Sequence, residues 1–282
     1  MILFKKASDI SDYIAQQQLI GREIGLVPTM GALHQGHMAL IEACREQSDI
    51  TACTIFINPT QFNDPKDFQK YPITIEKDIY LLEKNGADII FLPPIEQIYP
   101  QGTNNIEQYE LGYLETILEG QYRPGHFQGV CQVMHRILDI IKPQHLFMGQ
   151  KDFQQCMVIK RLLQLMKSTI IFHTCPTVRE TDGLAMSSRN MRLKPEERKK
   201  AVAIYEALTN IKKNLKPGDL QRLIANAKDI LIENDFAIDY VEIADANTLE
   251  LAHSWDGKQQ QVALIAAFQQ EVRLIDNMIL TD

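Results

Sequence analysis

Short runs of consecutive apolar residues alternate with longer segments of helical periodicity along the first part of the chain. The runs Ile24–Val27, Ile50–Ile57 and Ala87–Leu92 are bounded by turn-forming residues, which is typical of strands buried on both faces of a sheet. Because helical segments separate these runs, the pattern predicts a parallel sheet covered by helices. Further strands are predicted at Met1–Phe4, Gln144–Met148 and Thr169–Cys175, and helices at Ser8–Leu19, from Met38 onward, and at Ile75–Asn85, Val130–Ile141 and Phe153–Met166.

The pattern changes after Pro195, where helices and strands are grouped instead of alternating. Such grouping is typical of a small α+β domain. We therefore expect a Rossmann-like parallel-sheet domain at residues 1–175 and a smaller C-terminal α+β domain at residues 176–282. The predicted elements of the second domain are helices at Glu196–Leu215 and Asp219–Asn234, and strands at Asp239–Ala244, Val262–Phe268 and Val272–Ile275.

Composition narrows the classes of function. The 282 residues are 45% hydrophobic and 23% charged, which is ordinary for a globular protein. A net charge of −7 argues against a general nucleic-acid binder. The five cysteines form no CxxC pair and predict buried thiols in a reducing compartment. No signal peptide is recognisable, and no apolar run approaches the ~20 residues that a membrane span needs. We expect a cytoplasmic protein without membrane or nucleic-acid partners.

The segment IGLVPTMGALHQGHMALIEAC, residues 24–44, places a glycine-containing turn between a strand and a helix. Free N–H groups and the helix dipole favour an anion at such a helix start. His34 and His37 are three residues apart and are both able to hydrogen-bond a phosphate, so the segment predicts a phosphate-binding turn. Two alternatives stay open from the residues alone: a pair of metal ligands, although no nearby Cys, Asp or Glu completes a set, and two structural histidines.

Polar side chains follow other predicted strands. Gln61 lies in the loop NPTQFN, at the strand end where open α/β sheets bind ligands. Lys151 follows the strand at residues 144–148, and its ammonium group suits a phosphate that gains charge during attack. Asp152 suits the first turn of the helix, and the hydroxyls and guanidinium of Met186–Arg189 suit a triphosphate. An exposed Gln61 in a turn and a solvated Lys151 are the alternatives.

The motif H-x-G-H after a strand is similar to the signature of the nucleotidyltransferase superfamily, and the longer string PTMGALHQGH resembles the pantothenate synthetase (pantoate–β-alanine ligase) family. The segments NPTQF, MGQKDFQQ and DGLAMSSRN follow in that family's order, and MSSR resembles the KMSKS-type second signature of the superfamily. Two positions depart from the family pattern. Met148 stands where Phe is usual, and Glu271–Asn277, EVRLIDN, lacks the usual Gly-Thr.

The resemblance implies an ATP-dependent condensation of pantoate with β-alanine through a pantoyl adenylate, releasing AMP and pyrophosphate. It implies His37, His34 and Lys151 as catalytic residues, with His37 as proton donor, and Gln61 and Gln155 as ligands of pantoate and β-alanine. It also implies Mg²⁺, whose protein ligands stay unknown, a homodimer, a first domain that binds nucleotide and pantoate, and a second domain that acts as a lid. The implied ATP-binding residues are Met30, Gly31, Ala32, Leu33, His34, Gln35, Gly36, His37, Gly149, Gln150, Lys151, Asp152, Val178, Met186, Ser187, Ser188 and Arg189.

Two other functions stay open at this point. One is a different nucleotidyltransferase, such as a cytidylyltransferase, and the other is a nucleotide-binding regulatory module without catalysis. Arg123 and His126 lie in the glycine-containing segment EGQYRPGHFQGV. A structured turn before a helix explains them as well as ligand binding does, so they are left outside the predicted site.

Overall fold

A computed structural model describes residues 1–63, 65–103 and 107–281. The chain forms two compact units. The first unit comprises residues 1–150 and 154–176, and the second comprises residues 151–153 and 177–282. Across the described residues, no helix is long and apolar enough to cross a membrane.

The first unit is built on a six-stranded sheet in which every strand pair is parallel. The strand order is β1-β4-β3-β2-β5-β6. This order places β2, which precedes the HxGH motif, between β3 and β5 at the centre of the sheet. The strands are β1 (Ile2–Phe4), β2 (Ile24–Thr29), β3 (Ile50–Ile55), β4 (Ile89–Phe91), β5 (His145–Gly149) and β6 (Ile171–Cys175).

Successive strand residues point to opposite sides, so a strand of consecutive apolar residues places apolar side chains on both faces of the sheet. Helices cover both faces and bury these side chains. Leu26 and Val27 are both fully buried, yet they belong to two separate apolar clusters. Leu26 belongs to the same cluster as Phe127, and Val27 belongs to the same cluster as Ile41. The helices of the first unit are α1 (Ala7–Leu19), α2 (Gln35–Gln47), α3 (Pro65–Gln69), α4 (Ile75–Lys84), α5 (Ile95–Ile98), α6 (Glu119–Tyr122), α7 (His126–Ile141) and α8 (Phe153–Leu165).

The second unit packs helices against a three-stranded antiparallel sheet with the order β11-β10-β8. The helices bury Ile204 and Leu231 against sheet residues such as Val241 and Ile265. The predicted fold class, a Rossmann-like sheet with a smaller α+β part, is therefore confirmed. The elements are α9 (Pro195–Lys200), α10 (Ala203–Asn214), β7 (Gly218–Asp219), α11 (Gln221–Glu233), β8 (Phe236–Asp245), β9 (Ser254–Trp255), β10 (Gln261–Gln269) and β11 (Val272–Ile279).

Two predicted helices differ from those observed. The single helix expected at Glu196–Leu215 is wrong, because the chain turns between α9 and α10. At that turn Ile204 N bonds Ala201 O, a three-residue spacing that interrupts the α-helical ladder. Helix α7 begins four residues before the expected Val130, immediately after Gly125, whose φ of +79° is favourable only for glycine.

Candidate active site

The two histidines of the HxGH motif cap the helix that follows them. His34 is the N-cap of α2, and its Nδ1 accepts a hydrogen bond from Gly36 N at 3.1 Å. His37 Nδ1 reaches back and accepts from His34 N at 3.3 Å. The arrangement is a capping box made of imidazoles instead of the usual hydroxyl and carboxylate side chains.

This capping fixes the tautomer of both rings. A neutral imidazole that accepts at Nδ1 carries its proton on Nε2, so each ring is a hydrogen-bond donor at Nε2. The ring centroids of His34 and His37 are 4.1 Å apart, which brings the two imidazoles together on one turn. The expectation of free N–H groups at this helix start is wrong for His34 and Gly36, because their N–H groups already bond the imidazoles.

A buried carboxylate from α4 holds the start of the same loop. Asp78 is 1% exposed and accepts from Ala32 N at 2.9 Å and from Leu33 N at 2.8 Å. Thr74 Oγ1 lies 3.1 Å from each carboxylate oxygen. The loop needs this support because Gly31 and Ala32 both have positive φ, +82° and +50°, and alanine has a steric penalty there. The N–H groups of Ala32 and Leu33 are therefore committed to the protein.

The loop after β3 is organised by Asn58, which is 1% exposed. Tyr99 OH donates to Asn58 Oδ1 at 2.8 Å, and Asn58 Nδ2 donates to Gly129 O at 3.0 Å. Gln61, at the end of the loop, places Nε2 2.9 Å from the sulfur of Met30. The structure therefore brings the predicted pantoate ligand Gln61 beside the loop that carries the two histidines.

Helix α7 packs directly against the backbone of this loop. His126 Nδ1 lies 2.7 Å from Gln61 O. A Cβ added to Gly129 would lie 2.2 Å from Thr60 O, so only glycine fits at that position. Arg123 lies 3.4 Å from the Glu119 carboxylate. His126 and Gly129 thus position the backbone next to Gln61.

Two neighbouring glutamines near the start of α8 have different surroundings. Gln154 is 2% exposed, accepts from Glu119 N at 3.0 Å and donates to Leu114 O and Ile117 O. Gln155 is the predicted substrate ligand and is only half-buried. The structure thus ties Gln154 to the interior, while Gln155 retains solvent access.

In the second unit, Lys151 and Asp152 belong to the 3₁₀ turn Gln150–Asp152. Lys151 is half-buried and Asp152 is exposed. Asn277 Nδ2 donates to Lys151 O at 2.9 Å. The segment with the predicted catalytic lysine is therefore attached to β11 through the Lys151 carbonyl.

The two predicted nucleotide segments of the second unit lie side by side. Met186 N donates to Val178 O at 3.0 Å, and Arg179 pairs with Ala185 in an isolated antiparallel bridge. Ser187 then caps the 3₁₀ turn Ser188–Arg192 by accepting from the N–H group of Arg189 at 3.3 Å. Val178 and the MSSR loop are thus neighbours.

The whole chain matches one protein family. The model of that family, described as Pantoate-beta-alanine ligase, matches residues 2–279. The chain belongs to this family. The activity of this chain is the ATP-dependent ligation of pantoate to β-alanine. The resemblance to pantothenate synthetases predicted from the sequence is confirmed.

Individual relatives agree with this membership. A pantothenate synthetase of Acetivibrio thermocellus is 42% identical over 282 residues, which cover 99% of this chain and 99% of that protein. A pantothenate synthetase of Bacteroides fragilis is 40% identical over 92% of this chain and 91% of its own length.

Solved structures of the family share the fold. The pantothenate synthetase of Thermus thermophilus superposes with a TM-score of 0.91 at 34% identity, with all of both chains covered. A pantoate-beta-alanine ligase of Francisella tularensis, complexed with Beta-gamma ATP and beta-alanine, superposes with a TM-score of 0.83 at 33% identity, over 99% of this chain and 98% of that chain.

Sequence reasoning missed three residues that shape the site, namely Asn58, Tyr99 and Asp78. A signal for Asp78 was present. Ile75, Asp78 and Leu82 are spaced three and four residues apart, so they share one helix face, and an acid on an apolar face needs a buried partner. For Asn58 and Tyr99 the sequence carries no comparable signal, because their bonds join segments 41 residues apart.

Proposed function

We propose that the ligation proceeds through a pantoyl adenylate, with the imidazole pair of the HxGH turn acting on the α-phosphate. The carboxylate of pantoate attacks the α-phosphorus of ATP and pyrophosphate leaves. The amine of β-alanine then attacks the acyl carbon, which releases pantothenate and AMP. Adenylation is needed because a carboxylate at neutral pH lacks a leaving group. The observation that carries the proposal is the capping box, which orients two Nε2–H donors on one turn.

His34 and His37 act by electrostatic stabilisation in this proposal. Their Nε2–H groups donate to phosphate oxygens that gain charge in the transition state, and donors fixed in advance need no reorganisation at that moment. The capping bonds at Nδ1 supply this fixation. The proton-donor role expected of His37 does not fit this ring, because Nδ1 accepts a backbone hydrogen bond and loss of the Nε2 proton would leave an imidazolate; His37 therefore acts here as a hydrogen-bond donor through Nε2. Lys151 adds a compact positive charge for the phosphates.

The remaining roles follow the family resemblance. Gln61 and Gln155 bind pantoate and β-alanine, since a carboxamide offers both a donor and an acceptor to hydroxyl and carboxylate groups. The assignment of nucleotide and pantoate binding to residues 1–175, and of a lid to residues 176–282, stays a prediction. The assignment of ATP stays a prediction, and it cannot use the N–H groups of Ala32, Leu33, His34 and Gly36, which bond Asp78 and the two imidazoles. The residues assigned to ATP are Met30, Gly31, Ala32, Leu33, His34, Gln35, Gly36, His37, Gly149, Gln150, Lys151, Asp152, Val178, Met186, Ser187, Ser188 and Arg189.

In this proposal Mg²⁺ accompanies the triphosphate. Residues 1–63, 65–103 and 107–281 contain no group of three or more His, Cys, Asp or Glu side chains that could hold a metal ion. Mg²⁺ commonly keeps several waters and binds through substrate phosphates. When bound there it would neutralise part of the phosphate charge, which eases nucleophilic attack.

Assembly and location are also proposals. A homodimer is supported by the family resemblance, and sedimentation velocity at micromolar concentration would test it. A single species at the monomer mass would contradict it. A cytoplasmic location is supported by five reduced, buried cysteines and by the need for ATP.

The decisive experiment runs the first half-reaction alone. With ATP, Mg²⁺ and pantoate but no β-alanine, the enzyme should exchange labelled pyrophosphate into ATP. A regulatory module would show no exchange, and a cytidylyltransferase would require CTP and a phosphate-bearing acceptor. Pantoate labelled with ¹⁸O in its carboxylate should transfer one labelled oxygen to AMP when β-alanine is added. Label in free phosphate with ADP as coproduct would contradict attack at the α-phosphorus.

A further inference from the structure

Two polar residues are buried side by side in the last strand, where the proposed chemistry gives them no role. Asp276 is 4% exposed and Asn277 is 2% exposed, within β11 of the antiparallel sheet. Burying a carboxylate and a carboxamide is costly unless both are hydrogen-bonded. Their partners therefore indicate what the burial achieves.

Asp276 binds the guanidinium of Arg179, which pairs with Ala185 immediately before the MSSR loop. Arg179 Nη1 and Nη2 lie 2.5 and 3.1 Å from the two oxygens of Asp276, a bidentate geometry. The same guanidinium donates to Gly183 O at 3.1 Å and stacks 4.7 Å above the ring of Tyr205. Burial raises the pKa of the Asp276 carboxyl, and Arg179 offsets part of this effect. The bridge of Arg179 with Ala185 is thus fixed to β11 immediately before the MSSR loop.

Asn277 holds the other nucleotide segment of the same unit. Its Nδ2 donates to Lys151 O at 2.9 Å, while its own carbonyl accepts from Arg179 Nη2 at 3.3 Å. One strand therefore contacts the lysine segment through the Asn277 side chain and the MSSR segment through Arg179. Both contacts lie within the second unit.

We propose that Asp276 and Asn277 are positioning residues that hold Lys151 and the Met186–Arg189 loop in one fixed arrangement. Asn277 acts on the lysine segment through the Lys151 carbonyl, and Asp276 acts on the loop through Arg179. The proposal rests on the phosphate-binding role assigned to Lys151. A cation on a flexible stem is effective only when its backbone is fixed, because a misplacement of about 1 Å can reduce a rate about 10²-fold.

The test is a double-mutant cycle on pyrophosphate exchange. Asn277→Leu removes the donor to Lys151 O at nearly constant volume, and Lys151→Ala removes the ammonium group. If Asn277 acts through Lys151, Asn277→Leu should lower the exchange rate about 10- to 10²-fold in the native background and less than about twofold in the Lys151→Ala background. The KM for pantoate should stay unchanged in Asn277→Leu.

Gln269→Met is the matched control, because Gln269 is another buried carboxamide, 1% exposed, in the neighbouring strand β10. It should change thermal stability without changing the exchange rate of the folded protein. Equal losses from Asn277→Leu in both backgrounds would show a purely structural role and overturn the proposal. If Asn277→Leu fails to fold, Asn277→Ser takes its place in the same cycle. Unchanged exchange in Lys151→Ala alone would instead overturn the role assigned to Lys151.

Discussion

Replacing Asp78 by asparagine should disturb both the stability of the protein and its catalytic turn. The carboxylate receives two backbone N–H groups, from Ala32 and Leu33, and the hydroxyl of Thr74. Asparagine keeps the size and one acceptor oxygen, but its NH₂ group faces one of the N–H donors. One donor then loses its partner in a buried position.

The magnitude follows from these contacts. A hydrogen bond to a charged group contributes about 1.5–3 kcal/mol, and leaving a buried donor unpaired costs about 1–3 kcal/mol. Because the two terms overlap, we expect a loss of about 2–4 kcal/mol in the free energy of unfolding. The left-handed backbone of Ala32 costs about 1–2 kcal/mol, which the bonds to Asp78 offset in the native protein. When one of these bonds is lost, the loop can relax to relieve this strain.

The assay combines urea unfolding with pyrophosphate exchange on the folded variant. If the loop relaxes, the imidazoles of His34 and His37 shift and exchange should fall by about 10²-fold. Asp88→Asn is the control at an exposed position, because Asp88 accepts one backbone N–H, from Thr51, at the opposite ends of the strands and should lose little stability. A variant Asp78→Asn with unchanged stability would refute the anchoring. A destabilised variant with an unchanged exchange rate would refute the link to the catalytic turn.

Three further predictions concern the same unit. His37→Ala should lower the rate of adenylate formation by about 10²–10³-fold with little change in pantoate binding, measured in single turnovers. Gly129→Ala should raise the KM for pantoate more than that for ATP, because the new Cβ would meet Thr60 O at 2.2 Å. Burial, with a smaller effect of His145, lowers the pKa of His173. As the pH falls, His173 is therefore protonated in the unfolded chain at a higher pH than in the folded protein. This favours the unfolded chain, so the free energy of unfolding should fall as the pH drops below about 6.5.

Each of these three has a contrary outcome. Adenylate forming at the native rate in His37→Ala would remove that histidine from the chemistry. Equal increases in both KM values for Gly129→Ala would indicate general damage instead of a displaced Gln61. The pH dependence is read by urea unfolding on either side of pH ~6.5, the ordinary pKa of histidine, with His173→Gln for comparison. A variant as sensitive to pH as the native protein would exclude His173 as the source.

Local signals in the sequence were sufficient for the central part of the fold. The run Ile24–Val27 is apolar at every position except Gly25, and the structure makes it a central strand. Gly25 leaves no room for a side chain, because a Cβ there would lie 2.3 Å from the sulfur of Cys44. Strand burial and turn glycines are properties of neighbouring residues, and they can therefore be inferred from a short window of sequence.

The hydrogen bonds of the HxGH turn were less predictable. Histidine is outside the set of side chains that usually cap helices, so nothing in the sequence indicated that His34 and His37 bond the backbone at Nδ1. The partner of Ala32 and Leu33 lies about 46 residues away, on a helix whose position depends on the packing of the whole sheet. Long-range partners of this kind follow from tertiary structure, which a local pattern does not contain.

The pair Gln154 and Gln155 shows how packing decides between identical side chains. Successive residues of a helix point about 100° apart, so one of the two faces the interior and the other faces outward. Gln154 uses both of its functional atoms on residues 114–119, and its removal would leave Glu119 N without that acceptor. The proposed substrate role falls to Gln155 because its neighbour is already committed to the fold.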